Sequence, residues 1–570
     1  MESPNLIVSD YLASLKEDGE LDHLFPILLR LMGYNIVVTP KDAKGQPQFG
    51  KDVIAVKIDA DGIRKKFYFE LKGHSDKDID DTVMSKKDGI IESLRAAKLT
   101  KFNDSSIPGF NTLPLKVILV HNGVLKSNTR PFFEGFINDE FPENNFERWD
   151  IYKLTELFSK YFFNEYLFID HESVQLLKRT LIFIDVPDYN YSDFIQLVEL
   201  QLEKITTVKG RPLLKFFASM NILSLLIIRY CTEKNNLEPA KQCLTFLLLR
   251  LWKWILSNNY FRRVSIRKAF EKLCGIQFDL LKAYFNKTLP ITCKLNGLFS
   301  ERGGPFETIG FPLRCFEYIN YLVYYFEYQK SKFSPDESIY KTINELKESQ
   351  KEILKLIITN NIGCKRAIFD YHIIAILNVY LFFLRSGNIS QSDFDFLNEY
   401  LIEIFDNILI THSIHKRYPE LHGNVHAMIE FLTSKNRPYN YVDESSLLIT
   451  ILFELSAILH NKSIYDYYSP AFRENIDLQI ALSEHDDMEL EILLFSKNLQ
   501  EDLYVETGII LPPLFSEFKA QLKSTLAPKR NYVTDRLGLF HLRLLAHIYY
   551  KNEFLPDEWR RYLDVFEEVK

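Results

Sequence analysis

Residues 51–73 read KDVIAVKIDADGIRKKFYFELKG, and the reading of this stretch decides the fold. Two runs rich in β-branched and aromatic residues, DVIAVKID from Asp52 and RKKFYFELK from Arg64, flank the hairpin dipeptide Asp61-Gly62. Side chains alternate across a strand, so Glu70 and Lys72 share one face while Phe67, Phe69 and Leu71 share the other. A turn centred on Asp61-Gly62 sets residues whose numbers sum to about 123 opposite each other. That pairing brings Asp52 beside Glu70 and Leu71, although 18 residues separate the two acids. Converging carboxylates repel unless a cation lies between them, and hard oxygen donors suit Mg²⁺. Lys72 beside that cation is placed to orient or help deprotonate an attacking water and to offset charge developing on a scissile phosphate. The chemistry expected is metal-assisted phosphodiester hydrolysis, with Asp52, Glu70 and Lys72 catalytic and the first two holding the metal.

The flanking sequence supplies an α/β frame for this hairpin. Upstream, LDHLFPILLRLMGY places Leu21, Leu24, Leu28 and Leu31 on one helical stripe that stops at Gly33, before an extended NIVVTP. Downstream come a long amphipathic stretch to about Phe102, the apolar strand LKVILVHNG, a helix over Pro131–Phe141 and a closing strand-helix pair in ERWDIYKLTELFSKYF. From about Ser192 the texture changes to long amphipathic runs broken by KGRP, NKTLP, ERGGP and SKNRPYN, without a regular repeat. The fold class expected is α+β: an α/β domain over residues 1–185, a polar, Tyr-rich hinge at Val186–Asp193, and an all-α region over 192–570.

Asp52 followed by Glu70-Leu71-Lys72, in this order of elements, resembles the PD-(D/E)xK nuclease superfamily, most nearly its Mrr-like restriction endonuclease branch, over about residues 10 to 170. The resemblance implies a restriction-endonuclease-like domain that cuts DNA with Mg²⁺, or Mn²⁺ in its place. It implies a further acid on the opening helix, matched by Asp22, with Glu20 as the substitute. Asp22 stands where Glu is usual in the family, and Lys51 where a small residue often precedes the metal aspartate. Lys86, Lys87 and Arg95, with Lys98 and Lys101, follow the site in the same module and are candidates to position phosphate. Nucleases of this branch with large helical extensions resemble bacterial effectors of antiviral defence, in which the extension senses, forms a homo-oligomer or docks a partner protein. Two rival readings are a non-catalytic helical scaffold that retains the nuclease-like fold, and an RNase.

Composition sets the outer bounds. The chain has 570 residues, 46% of them hydrophobic and 25% charged, with a mean hydropathy of -0.12, which fits a folded, multidomain protein. A net charge of -7 excludes a broadly basic surface, so nucleic-acid contact must come from local patches or bound metal. Six cysteines without a CxxC pair argue against zinc ribbons and disulfide frameworks. No secretory signal or bilayer-spanning run is read, so a cytoplasmic location without membrane contact is expected. No GxxxxGK[ST] loop is present. RYPELH, Arg417 to His422, has the Rx4H spacing of a ribonuclease motif that resembles the HEPN family, but Pro419 opposes a continuous helix across it. FRRVSIRKAFEK, Phe261 to Lys272, reads as a solvated basic helix face, and His74 as a loop histidine.

Overall fold

The computed structural model describes residues 8–563 except 10, 14, 41–50, 74–75, 88, 143–144, 162–169, 188, 206–210, 333–339, 388, 435, 474, 484, 497–504, 526–529 and 552–557. The chain forms two compact units, the first made of Met1–Leu244 and Phe261–Leu280, the second of Thr245–Tyr260 and Leu281–Lys570.

Unit 1 is built on a five-stranded sheet of order β1 (Asn35–Val38), β2 (Val53–Ile58), β3 (Arg64–Lys72), β4 (Leu115–His121) and β5 (Phe146–Trp149). The first three strands are antiparallel, and β3, β4 and β5 run parallel. Helix α1 (Asp22–Leu31) precedes the sheet; α2 (Asp81–Ser85) and α3 (Ile90–Leu99) lie between β3 and β4, α4 (Arg130–Glu140) between β4 and β5, and α5 (Ile151–Tyr161) follows. One face of the sheet is lined by Phe67, Phe69 and Leu71. Phe25 of α1 packs there, its ring centroid 5.3 Å from that of Phe69 and 6.1 Å from that of Trp149. Edge-to-face pairs of this kind add about 0.5–1.5 kcal/mol each beyond the area they bury. On the opposite face, Val117 and Leu119 of β4 are covered by Met84, Leu94, Phe133 and Ile137 from α2, α3 and α4. Leu21, Leu24 and Leu28 are buried as the helical stripe requires, but Leu31 is exposed, and Phe25 and Leu29 complete the inner face instead. Gly33, at φ +83°, ends the helix in the left-handed region that a side chain disfavours.

The expected hinge at Val186–Asp193 lies inside unit 1. Helices α6 (His171–Phe183) and α7 (Ser192–Glu203) bury Leu176, Leu177 and Leu181 on one and Phe194, Leu197 and Val198 on the other. Asp193, 3% exposed, accepts from Tyr189 at 3.0 Å and pairs with Arg179 at 2.9 Å. Polarity there includes one buried acid, Asp193, clasped from the surface by Tyr189 and Arg179, and the first unit runs on past it to Leu244.

Unit 2 is mainly helical, but the expectation of an all-α region over 192–570 is corrected by a second sheet. Its order is β6 (Ser445–Ser446), β7 (Asp477–Leu482) and β8 (Val505–Ile509), with β6 and β7 parallel and β7 and β8 antiparallel. Leu478 and Ile480 point inward with period two. Three strands this short, set between helices, carry too little alternation to stand out in the sequence. The helices Ile373–Leu384 and Leu447–Ile458 are buried on every side, the pattern of central core helices. Among the described residues, one helical window, Phe216–Glu233, is long and apolar enough to cross a membrane, and 61% of it is buried inside the protein.

Unit 2 also holds histidines kept neutral by burial. His541 is fully buried, stacks on Tyr328 at 4.2 Å, and has no hydrogen-bond partner on either ring nitrogen. Burial, and then the charge of Lys332, push its pKa down to about 3; burial also depresses His372. An unfolded histidine takes a proton near pH 6.5, so the stability supplied by the neutral ring is full above that pH and is lost as pH falls toward the folded value. For His541 the loss is about 1.4 kcal/mol per pH unit below 6.5. His541→Phe keeps the stack and removes the proton. Its urea midpoint at pH 7 is expected to match or exceed the wild type, and at pH 4.5 to exceed it by about 2–3 kcal/mol of unfolding free energy. Parallel pH profiles for the two proteins would refute this account.

Candidate active site

The β2–β3 hairpin closes through the amide of Asp59 donating to the carbonyl of Ile63, with Gly62 at φ +80°. The loop is therefore odd-numbered and pairs Val53 with Phe69 and Ile58 with Arg64, half a residue from a turn centred on Asp61-Gly62. In that register Asp52 extends the ladder opposite Glu70. Its amide donates to the Phe69 carbonyl at 2.9 Å, and its Oδ2 accepts from the Leu71 amide at 2.7 Å. Glu70 is 3% exposed, and its Oε1 lies 2.7 Å from Lys72 Nζ. Asp52, Glu70 and Lys72 thus meet at the carboxyl end of β3, where Lys72 neighbours His121 on the parallel strand β4.

The electrostatics follow from this packing. Burial, and then the Glu70 charge, hold the Asp52 carboxyl well above the usual carboxylate range. Lys72 is desolvated too, but Glu70 and then Glu17 outweigh that and raise its pKa, which favours the ammonium form beside Glu70. Lys51, 5% exposed, lies over the Tyr68 ring at 5.3 Å. Burial, against an opposing pull from Glu70, brings it down to about 8.

The opening segment brings Glu17 to this site. Glu17 Oε2 accepts from the Gly73 amide at 2.9 Å, directly after Lys72, and its charge acts on both Asp52 and Lys72. Asp22 lies in the first turn of α1 with a buried Oδ1 that has no hydrogen-bond partner, and Glu20 turns back to accept from the Lys16 amide at 2.7 Å. Counting back from Gly33 along a regular helix missed Glu17 because Glu17–Leu21 forms a π-turn whose spacing departs from 3.6 residues.

The other sequence candidates are dispersed. Lys86 pairs with Asp76 at 2.6 Å, and Lys87 is exposed. Arg95 pairs with Glu140 at 2.8 Å, and Lys98 with the same carboxylate, so these two tie α3 to α4. His74 lies outside the described residues. Arg417 is 3% exposed with Nη1 against the Met428 sulfur, His422 is exposed, and residues 417–419 are not helical, so RYPELH forms no shared helical face. Arg262 and Lys268 of the FRRVSIRKAFEK stretch are solvated.

Among the described residues, no group of three or more His, Cys, Asp or Glu side chains is arranged as a ready metal cage. The donor chemistry at Asp52 and Glu70 nevertheless fits a hard divalent cation: two carboxylates share a desolvated corner, where burial first and the Glu70 charge second disfavour a second bare anion at Asp52, and a cation between them would relieve both. No family model, curated protein or solved structure matches this chain.

Proposed function

We propose that unit 1 is a metal-dependent nuclease that hydrolyses phosphodiester bonds, with DNA as its substrate, as in the PD-(D/E)xK nucleases that its Asp52…Glu70-Leu71-Lys72 motif resembles. The observation that carries this reading is the convergence of Asp52, Glu70 and Lys72 at one end of the hairpin. Asp52 and Glu70 would hold Mg²⁺, or Mn²⁺ in its place; when bound, the cation supplies Lewis acidity toward the scissile phosphate. Lys72, kept positive beside Glu70, donates to a phosphate oxygen and orients the attacking water, offsetting the charge that develops as the ester bond breaks. Glu17 adds a third acid on the Gly73 side of the site. The helical remainder of the chain is the proposed sensing, oligomerising or partner-docking part, in a cytoplasmic protein.

The test is incubation of the purified chain with supercoiled plasmid, linear duplex, single-stranded DNA and RNA, each with Mg²⁺, Mn²⁺ or EDTA. Cleavage of DNA that needs a divalent ion and stops in EDTA is the expected result. Cleavage of RNA alone would move the assignment to an RNase. Binding without cleavage in every condition would favour the scaffold reading.

A further inference from the structure

Asn122 follows β4 directly, is fully buried, and reaches two parts of unit 1 at once. Its amide donates to the carbonyl of Lys72 at 3.4 Å, on the strand that carries the site. Its side-chain Nδ2 donates to the carbonyls of Leu12 at 2.7 Å and Leu15 at 2.9 Å, in the segment that runs into Glu17. Lys77 Nζ holds the intervening Ala13 carbonyl at 3.2 Å. Asn122 Oδ1 is buried without a partner, so this side chain satisfies only its donor half, and that half is spent entirely on the opening segment. Gly73 completes the arrangement from the other side. A Cβ at residue 73 would lie 2.8 Å from the Glu17 amide nitrogen and 3.1 Å from its Cα, so only glycine lets the backbone of residue 17 approach and Glu17 Oε2 meet the Gly73 amide.

We infer that Asn122 is a positioning residue that, through the Leu12 and Leu15 carbonyls, sets Glu17 against the Asp52–Glu70–Lys72 site. The inference rests on the nuclease reading and deepens it, because it names what holds the third acid in place. A buried amide that orients a site carboxylate acts as an outer shell to the metal, and losing such a partner typically weakens metal affinity by about 10–100-fold.

The experiment uses the full chain and titrates Mn²⁺ without nucleic acid, reading free Mn²⁺ by electron paramagnetic resonance, with plasmid cleavage in parallel. Asn122→Ala is expected to lower Mn²⁺ affinity by about tenfold, and Glu17→Gln by at least as much. The double variant Glu17→Gln/Asn122→Ala should bind no more weakly than Glu17→Gln alone, because the two residues act as one unit. Gly73→Ala displaces residue 17 by an independent route and should match Glu17→Gln, so the comparison stands even if Asn122→Ala does not fold. Asp52-dependent Mn²⁺ binding that is indifferent to Asn122→Ala and Gly73→Ala, or losses that multiply in the double variant, would overturn the inference alone. Mn²⁺ binding and cleavage that do not depend on Asp52 would overturn the nuclease reading, and this inference with it.

Discussion

Alanine at Asp52, Glu70 or Lys72 is expected to reduce plasmid cleavage by about a thousandfold or more in each case, the scale on which single electrostatic and acid-base groups act in enzymes. Replacements chosen to alter charge, Asp52→Asn, Lys72→Ala and Glu70→Gln, should differ in stability, and that difference tests the geometry separately from the chemistry. Asp52→Asn keeps an oxygen to accept from the Leu71 amide while removing one of two carboxylates in a desolvated corner, so its thermal midpoint should equal or exceed that of the wild type. Lys72→Ala removes the cation 2.7 Å from a carboxylate that is only 3% exposed, and should lose stability together with activity. Glu70→Gln relieves the repulsion on Asp52 but takes from Lys72 its nearest counter-charge, and falls between them. Cleavage near the wild-type rate in the Asp52 and Glu70 variants would eliminate the site. Equal stability of Lys72→Ala and Asp52→Asn would show that the Glu70–Lys72 pair is not formed as described.

The site was legible in the sequence to the extent that it depends on strand periodicity. Alternation in FYFELK puts Glu70 and Lys72 on one face, and Asp61-Gly62 locates the turn to within half a residue, which sets Asp52 beside Glu70. What local pattern could not supply was anything that depends on irregular backbone or long-range contact. Glu17 enters through a π-turn, and Asn122 reaches Leu12 across 110 residues. Neither has a periodic signature; the one cue to Asn122 was its place in the His-Asn-Gly that ends an apolar strand. The boundary read at Val186–Asp193 differs from the division into units, which keeps residues up to Leu244 in the first, for the opposite reason. VPDYNYSD is polar and rich in tyrosine, as linkers are, yet Asp193 is buried because Tyr189 and Arg179 satisfy it. Composition reports what a residue prefers, while a paired charge reports what its neighbours allow.

Glu454→Ala is expected to destabilise unit 2 by ~3–5 kcal/mol, the range for breaking a buried ion pair by removing one partner. Glu454 lies in the helix Leu447–Ile458 and is 2% exposed. Its Oε1 accepts from Arg560 Nη2 at 2.9 Å, and its Oε2 accepts from Arg560 Nε at 3.1 Å and Trp559 Nε1 at 2.6 Å. Arg560 and Trp559 are themselves 3% and 4% exposed, so the short 3₁₀ turn Glu558–Tyr562 is built into the core. On its other side Glu558 holds Arg385 through two hydrogen bonds at 2.7 and 3.0 Å. Removing Glu454 leaves the Arg560 guanidinium desolvated without its counter-charge and the Trp559 indole without an acceptor, two penalties that water cannot relieve at this depth. Arg560→Ala should lose a similar amount by stranding Glu454. The double replacement Glu454→Leu/Arg560→Leu removes both charges and restores apolar volume, and should be more stable than either alanine variant. Urea unfolding of the three variants decides the matter: single losses under about 1 kcal/mol would place this pair with solvent-screened surface bridges, and a double variant less stable than both singles would show that the charges contribute more than their desolvation takes away.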